Sequence, residues 1–231
     1  MQRLQSRQLY VPDDFPCAEF ENVEKKVQAR FPEHAHARFF GGAWGAVAYR
    51  FMAMAQYDES FTKSILENGV GPGPMLRYEQ ERDLFGFFNS GCSAADAFLF
   101  GMFTLGAMLK PNAFPLRDEQ DERKVTPTCC YDAYRKAFTG HPIISALQLT
   151  TKNGDPDWEK FSAFRNLLTH RATPARNFSA GDPSRPAAIM SRVGVVLDKE
   201  TTSSRRRQVA GLLGKLLAAW PAAGSVDMRL S

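Results

Sequence analysis

At residues 71 to 74 the chain reads Gly-Pro-Gly-Pro, and no helix crosses such a run. Each proline removes a backbone donor and fixes φ, while the glycines favour a turn. On the N-terminal side, residues 35 to 67 place Phe40, Trp44, Val47, Phe51 and Met54 at spacings of three and four, the pattern of one buried helical face. On the C-terminal side, about Glu79 to Lys110, Leu84, Phe88, Cys92, Ala95, Leu99, Met102 and Leu109 follow a heptad-like seam. Gly91, Gly101 and Gly106 leave room on that helix for close approach. Two long helices joined by so short a break fold back as an antiparallel pair. The expected class is therefore all-α, an up-and-down helical bundle.

The rest of the chain divides around this pair. Residues 1 to 33 read as an extended arm, broken at Pro12 and Pro16, and then a short helix around Glu19 to Arg30 with Phe20, Val23 and Val27 on one side. Residues 34 to 231 form the bundle domain. From Pro111 to Val125 the charged run RDEQDERK predicts a solvated loop. Thr126-Pro127 has the form of a helix cap and first helical residue, and Thr139-Gly140 a stop. His141-Pro142 opens a shorter helix that ends at Asn153-Gly154. Residues 174 to 187 are expected to be loop, and the β-branched stretch Ile189 to Leu197 a small strand or hairpin. The last helix, about Ser204 to Trp220, carries Val209, Leu212, Leu213, Leu216, Leu217 and Trp220 as a regular apolar stripe that must pack on the bundle or on a partner.

Composition narrows the function classes. With 231 residues and 44% hydrophobic content the chain can bury a full core. A net charge of +4 is compatible with a polyanionic partner without demanding one. The N-terminus has no apolar h-region, so neither a signal peptide nor an anchor is expected. Ala97 to Leu109 is the longest apolar stretch, too short to span a bilayer. Four Cys without paired CxxC spacing predict neither a zinc site nor a disulfide framework, and Cys129-Cys130 reads as packing. His34 and His36, without further ligands nearby, read as solvated or capping residues. Glycine-rich phosphate loops are missing too. No metal, cofactor or membrane is expected, and the cytoplasm is the expected compartment.

The chemistry concentrates in residues 155 to 174, DPDWEKFSAFRNLLTHRATP. Asp155 is placed to cap a helix, Pro156 to occupy its first position, and Asp157 and Glu159 to complement its dipole. Thr173 before Pro174 ends it. At about 100° per residue, Phe161, Phe164, Leu167 and Leu168 share one arc while Asn166 and His170 are adjacent on another. Two other Arg to His gaps of similar length are interrupted: Arg30 to His36 by Pro32, and Arg135 to His141 by Thr139-Gly140. Only Arg165 to His170 combines an unbroken helix with an Asn after the Arg.

The run FRNLLTHR resembles the signature of the HEPN superfamily, in which an Arg, commonly followed by Asn, Asp or His, precedes a His by four to six residues near a helix end. The resemblance rests on Arg165, Asn166 and His170. It implies a metal-independent ribonuclease of toxin, antiphage or RNA-processing systems that works as a homodimer, with His170 as acid or base and Arg165 and Asn166 on the phosphate. An antitoxin or other neighbouring-gene protein is a further implied partner. Other members have no known activity, so a non-catalytic dimeric interaction module is the rival reading. A helical ligand-binding protein using the Phe-rich core is a third. Arg165 and His170 diverge by about 140° around a straight helix, which also suggests that a second subunit completes the site.

Two supporting features stand outside that helix. Asp96 lies in a stretch of small and apolar residues, NSGCSAADAFLFGMF, and is either paired with Arg165 or turned to solvent. Arg205, Arg206 and Arg207 fall in the first turn of the last helix, where positive charge opposes the dipole unless an anion joins it. That anion is either RNA phosphate or a carboxylate from Asp118 to Glu122. Arg171 is a further candidate for RNA contact.

Overall fold

The computed structural model describes residues 1–169, 175–178, 188–190 and 195–220. Its elements run β1 (Gln2–Leu4), β2 (Leu9–Val11), α1 (Cys17–Arg30), α2 (Ala37–Asn68), α3 (Pro74–Leu109), α4 (Glu119–Arg123), α5 (Pro127–Ala137), α6 (Pro142–Gln148), α7 (Pro156–Thr169), β3 (Arg176–Phe178), β4 (Ala188–Met190), β5 (Val195–Leu197) and α8 (Ser203–Ala218). The class is all-α with small antiparallel strands, as the periodicities predict.

Helices α2 and α3 are the frame. Gly69, in the left-handed region at φ 69°, ends α2, and Pro74 occupies the first turn of α3. Side chains lock the pair near this end: Ser60 Oγ donates to Asp83 Oδ2 at 2.5 Å, and Gln80 Nε2 to Ser64 Oγ at 3.1 Å and Gly69 O at 3.0 Å. Farther along, Arg50 donates to the Ser93 carbonyl at 2.8 Å. By length and composition α3 is apolar enough to cross a membrane, but 78% of its most apolar window is buried inside the fold. The burial accounts for the apolarity: Phe88 packs on Phe161 and Phe164 of α7, Phe98 on Trp44 of α2, and the Met102 carbonyl accepts from the Tyr134 hydroxyl of α5.

The extended N-terminal arm folds back on itself as a hairpin. β1 pairs with β2 in the register Gln2↔Val11, and Leu4, Val11 and Phe15 are buried in the same apolar cluster as α1, α2 and α8. Arg7 anchors it through Glu24 of α1 and the Gly41 carbonyl of α2. Phe20, Val23 and Val27 form the buried face of α1, as expected.

Three local expectations are borne out by caps. Thr126 Oγ1 accepts from Cys129 N at 3.1 Å and opens α5; His141 Nδ1 accepts from Ile143 N at 3.1 Å and opens α6; Asp155 opens α7. His34, read as solvated or capping, accepts from His36 N through Nδ1 at 3.1 Å.

Two loop assignments are corrected. Within residues 111 to 125 lies α4, capped by Asp118 Oδ1 on Asp121 N at 2.9 Å and held by Arg117 on Asp121 at 2.9 Å. Within residues 174 to 187 lies β3, which extends the expected β4–β5 hairpin to three strands in the order β3-β4-β5. A tertiary contact explains β3: the Arg176 guanidinium is buried, ion-paired with Glu81 and donating to the Val70 carbonyl at 2.9 Å and to Gln80 Oε1 at 2.6 Å. Burial lowers its pKa while Glu81 opposes that shift.

At the start of α8, Arg206 bridges Asp14 at 2.9 Å and Asp58 at 2.8 Å, and Asp58 also accepts from Thr202 Oγ1 at 2.6 Å. The arm, α2 and α8 thus meet at the Arg206 guanidinium, and the α2 carboxylate that holds it is 3% exposed. Asp58→Ala leaves Arg206 and Thr202 without that acceptor, and urea unfolding followed by circular dichroism is expected to show a loss of about 3 kcal/mol. A loss under about 0.5 kcal/mol would reduce the junction to a surface ion pair.

Candidate functional site

Helix α7 begins where the sequence places it. Asp155 Oδ1 accepts from Asp157 N at 2.9 Å and Trp158 N at 3.0 Å, with Pro156 at the first position. Asn153, left-handed at φ 65°, makes the turn from α6, and its N–H donates to Glu159.

The helix is seated on α3 by aromatic rings. Phe161 and Phe164 lie 4.8 and 4.4 Å from the Phe88 ring centroid, and Trp158 stacks on Phe161 at 5.6 Å. Gly91 makes this approach possible, since a Cβ there would stand 2.5 Å from the Phe161 ring. Of α7, only Phe161 and Phe164 are fully buried; Leu167 and Leu168 are packed against the core but half-buried.

One residue past Phe164, the half-buried Arg165 lies beside Cys92, one turn of α3 from Asp96. Burial pushes the Cys92 thiol up to about 11, with the Arg165 charge acting in the opposite direction. Asp96 keeps contact with solvent, yet desolvation by the surrounding protein raises its pKa, and the positive charges of Arg165 and Arg50 partly offset this. The Nε of Arg165 is buried without a hydrogen-bond partner. The expected Asp96–Arg165 ion pair is not formed: the two attract at a distance, with no contact within 4.0 Å among the described residues. The physical reason is register, because Cys92, one turn before Asp96, takes the position facing the guanidinium.

Asn166 is exposed, and Thr169 Oγ1 donates back to the carbonyls of Arg165 and Asn166 at 3.1 and 3.0 Å. His170 and Arg171 lie outside the described residues. The structure therefore places Asp96 near Arg165 without contact and adds two groups that sequence reasoning missed, Cys92 and Arg50. Cys92 was legible in part, being one turn from Asp96 on the α3 seam. Arg50 carried no signal, because only the pairing of α2 with α3 brings it near.

The arginines of α8 stand apart from this group. Arg206 is held by Asp14 and Asp58, Arg207 by Glu200 at 3.3 Å, and Arg205 donates to the Thr201 carbonyl at 2.6 Å. The carboxylates that answer their charge come from the arm, α2 and the turn before α8, not from Asp118 to Glu122. Burial lowers the pKa of Arg205, which lines a cleft of about 530 Å³ with Lys160, Val196 and Glu200.

Among the described residues no group of three or more His, Cys, Asp or Glu is arranged to hold a metal ion. No family model, curated protein or solved structure matches the chain.

Charges that attract without touching couple weakly. A double-mutant cycle on Asp96→Ala and Arg165→Ala is expected to give a coupling below about 1 kcal/mol that shrinks as salt is added. A coupling of about 3 kcal/mol or more, insensitive to salt, would mean a direct buried pair.

Proposed function

We propose that this chain is a ribonuclease of the HEPN kind, cytoplasmic, acting as a homodimer on RNA with Arg165, Asn166 and His170 at its centre. The observation that supports it most is the state of Arg165. It stands on a seated helix with its Nε buried, no carboxylate lies within ion-pair distance of it among the described residues, and the next residue, Asn166, is open to solvent. A guanidinium without a carboxylate partner beside an exposed amide suits a phosphate.

In this reading the ribose 2′-hydroxyl attacks the adjacent phosphorus, and the bond to the 5′-oxygen breaks. His170 removes or supplies the proton, a role suited to an imidazole that titrates near neutral pH. Arg165 neutralises charge growing on the phosphoryl oxygens, and Asn166 orients the group. Asp96 and Arg50 set the field around Arg165. Arg171 and the α8 arginines are candidate contacts for neighbouring phosphates; of the latter, Arg205 and Arg207 have no carboxylate partner as buried as Asp58. An antitoxin is a further partner this reading implies.

One observation favours the rival reading, a dimeric interaction module without catalysis. Arg165 lies against Cys92 of its own bundle, as a structural arginine does.

The two readings separate on one substitution. Purified protein is expected to cleave single-stranded RNA in the presence of EDTA, and His170→Ala to lower the rate by about 10² to 10⁴ with an unchanged melting curve. Arg165→Ala is expected to lower it too, read only after circular dichroism shows an intact fold. Wild-type protein inert toward varied RNAs, with His170→Ala changing only association or melting, selects the interaction module.

A further inference from the structure

Helix α3 is covered on two of its three sides along its middle. On one side lies α2, with the Tyr57 ring over Gly86 and Ser60 bonded to Asp83. On the second lies α7, with Phe161 over Gly91 and Phe164 on Phe88. The third side carries Tyr78, Arg82, Phe85, Asn89 and Asp96 at alternating steps of three, four and seven, a stripe that stays on one face of a helix. It exposes two aromatic rings among polar side chains: Tyr78 is 61% and Phe85 47% exposed. Tyr, Phe and Arg are the residues enriched at the centres of protein interfaces.

The order of residues along this stripe is self-complementary about Asn89. Arg82 and Asp96 stand seven positions to either side of it, Phe85 and Ser93 four, and Tyr78 and Phe100 eleven. An antiparallel copy of α3 on a two-fold axis through Asn89 therefore sets Arg82 opposite Asp96 twice, Phe85 opposite the small Ser93 twice, and Tyr78 opposite Phe100 twice. A closed two-fold contact has this property, residue i meeting j while j meets i. Charge agrees with shape. Asp96 has no ion pair or hydrogen bond among the described residues, whereas Arg82 uses Nε and one terminal nitrogen on Asp83 and keeps the other terminal nitrogen for a further acceptor. Asn89 donates to the Phe85 carbonyl at 2.9 Å and leaves its amide oxygen for its mate.

We infer that the open side of α3 is the interface with a second copy of this chain, packed antiparallel about Asn89, with Arg82 of each copy bound to Asp96 of the other. The contact delivers a residue to the candidate site: the partner's arginine reaches the carboxylate that lies between Arg50 and Arg165. The inference supplies the surface for the dimer assumed under the ribonuclease reading and shares with it only the expectation of two copies.

The test is the mass in solution at tens of micromolar, without RNA. Wild-type protein is expected at twice the 25.8 kDa of the chain. Asp96→Arg, and separately Arg82→Asp, should each weaken association by about tenfold or more through like charges set face to face, and the double exchange should restore it. Asn89→Cys should form an intermolecular disulfide under mild oxidation, whereas Glu67→Cys, exposed and off the stripe, should not; this arm disturbs no charge and holds even where a reversed charge unfolds the chain. A monomeric wild type, or a dimer that ignores both charge reversals and fails to link at position 89, overturns the inference. So does a monomer that binds single-stranded RNA and loses it on Tyr78→Ala with Phe85→Ala, which would give the stripe to nucleic acid. Mass and cross-linking read the interface, while cleavage reads Arg165 and His170, so either proposal fails without the other.

Discussion

The contact on which the candidate site depends is the Phe161 ring over Gly91. An added Cβ would stand 2.5 Å from that ring, which is itself held between Trp158 and Phe88. Helix α7 has only two fully buried side chains, so little else fixes its height and rotation on α3. Arg165 inherits its place beside Cys92 from that seating, one residue beyond Phe164. The geometry of the candidate site is thus set by an absent side chain on the supporting helix as much as by the residues of α7 itself.

Around this apolar seat the sequence-distant segments are tied by buried polar groups. Asp58 gathers Thr202 and Arg206, and Arg206 reaches on to Asp14 of the arm. Arg176 plays the same part for the small sheet, holding β3 at the α2–α3 turn through Glu81, Gln80 and the Val70 carbonyl. Such pairs add little net stability over apolar packing, but removing one partner leaves the other stranded. They specify which segments meet, a task the repetitive aliphatic stripe of α8 is poorly suited to perform.

What was legible in the sequence is what is local. Periodicity gave α2, α3 and α8 to within a few residues, except that α3 starts five residues earlier, at Pro74. The caps at Thr126, His141 and Asp155 were readable because a side chain and the N–H groups it binds lie within three residues. β3 was not, because it exists through a buried guanidinium and a neighbouring strand, and α4 was hidden by a charge density that reads as solvated. The partners of Arg206 were equally invisible, being contributed by Asp14 and Asp58. Asp96 shows the boundary between the two cases. A carboxylate among small residues on α3 was a sound sign of something to explain, but the position facing Arg165 is taken by Cys92, and Asp96 is turned toward the open side of the helix.

Gly91→Ala tests the seating of α7 most directly, since two effects of opposite sign compete there. In an unobstructed helix, alanine for glycine stabilises by up to about 1 kcal/mol. Over the buried Phe161 ring the same methyl is an overpacking, and the account predicts a net loss of about 1 to 3 kcal/mol in urea unfolding, with altered Trp158 fluorescence as the stacked rings shift. Adding Phe161→Leu to Gly91→Ala should make the alanine less costly than it is alone. A Gly91→Ala protein as stable as the wild type or more so, with unchanged fluorescence, would contradict it.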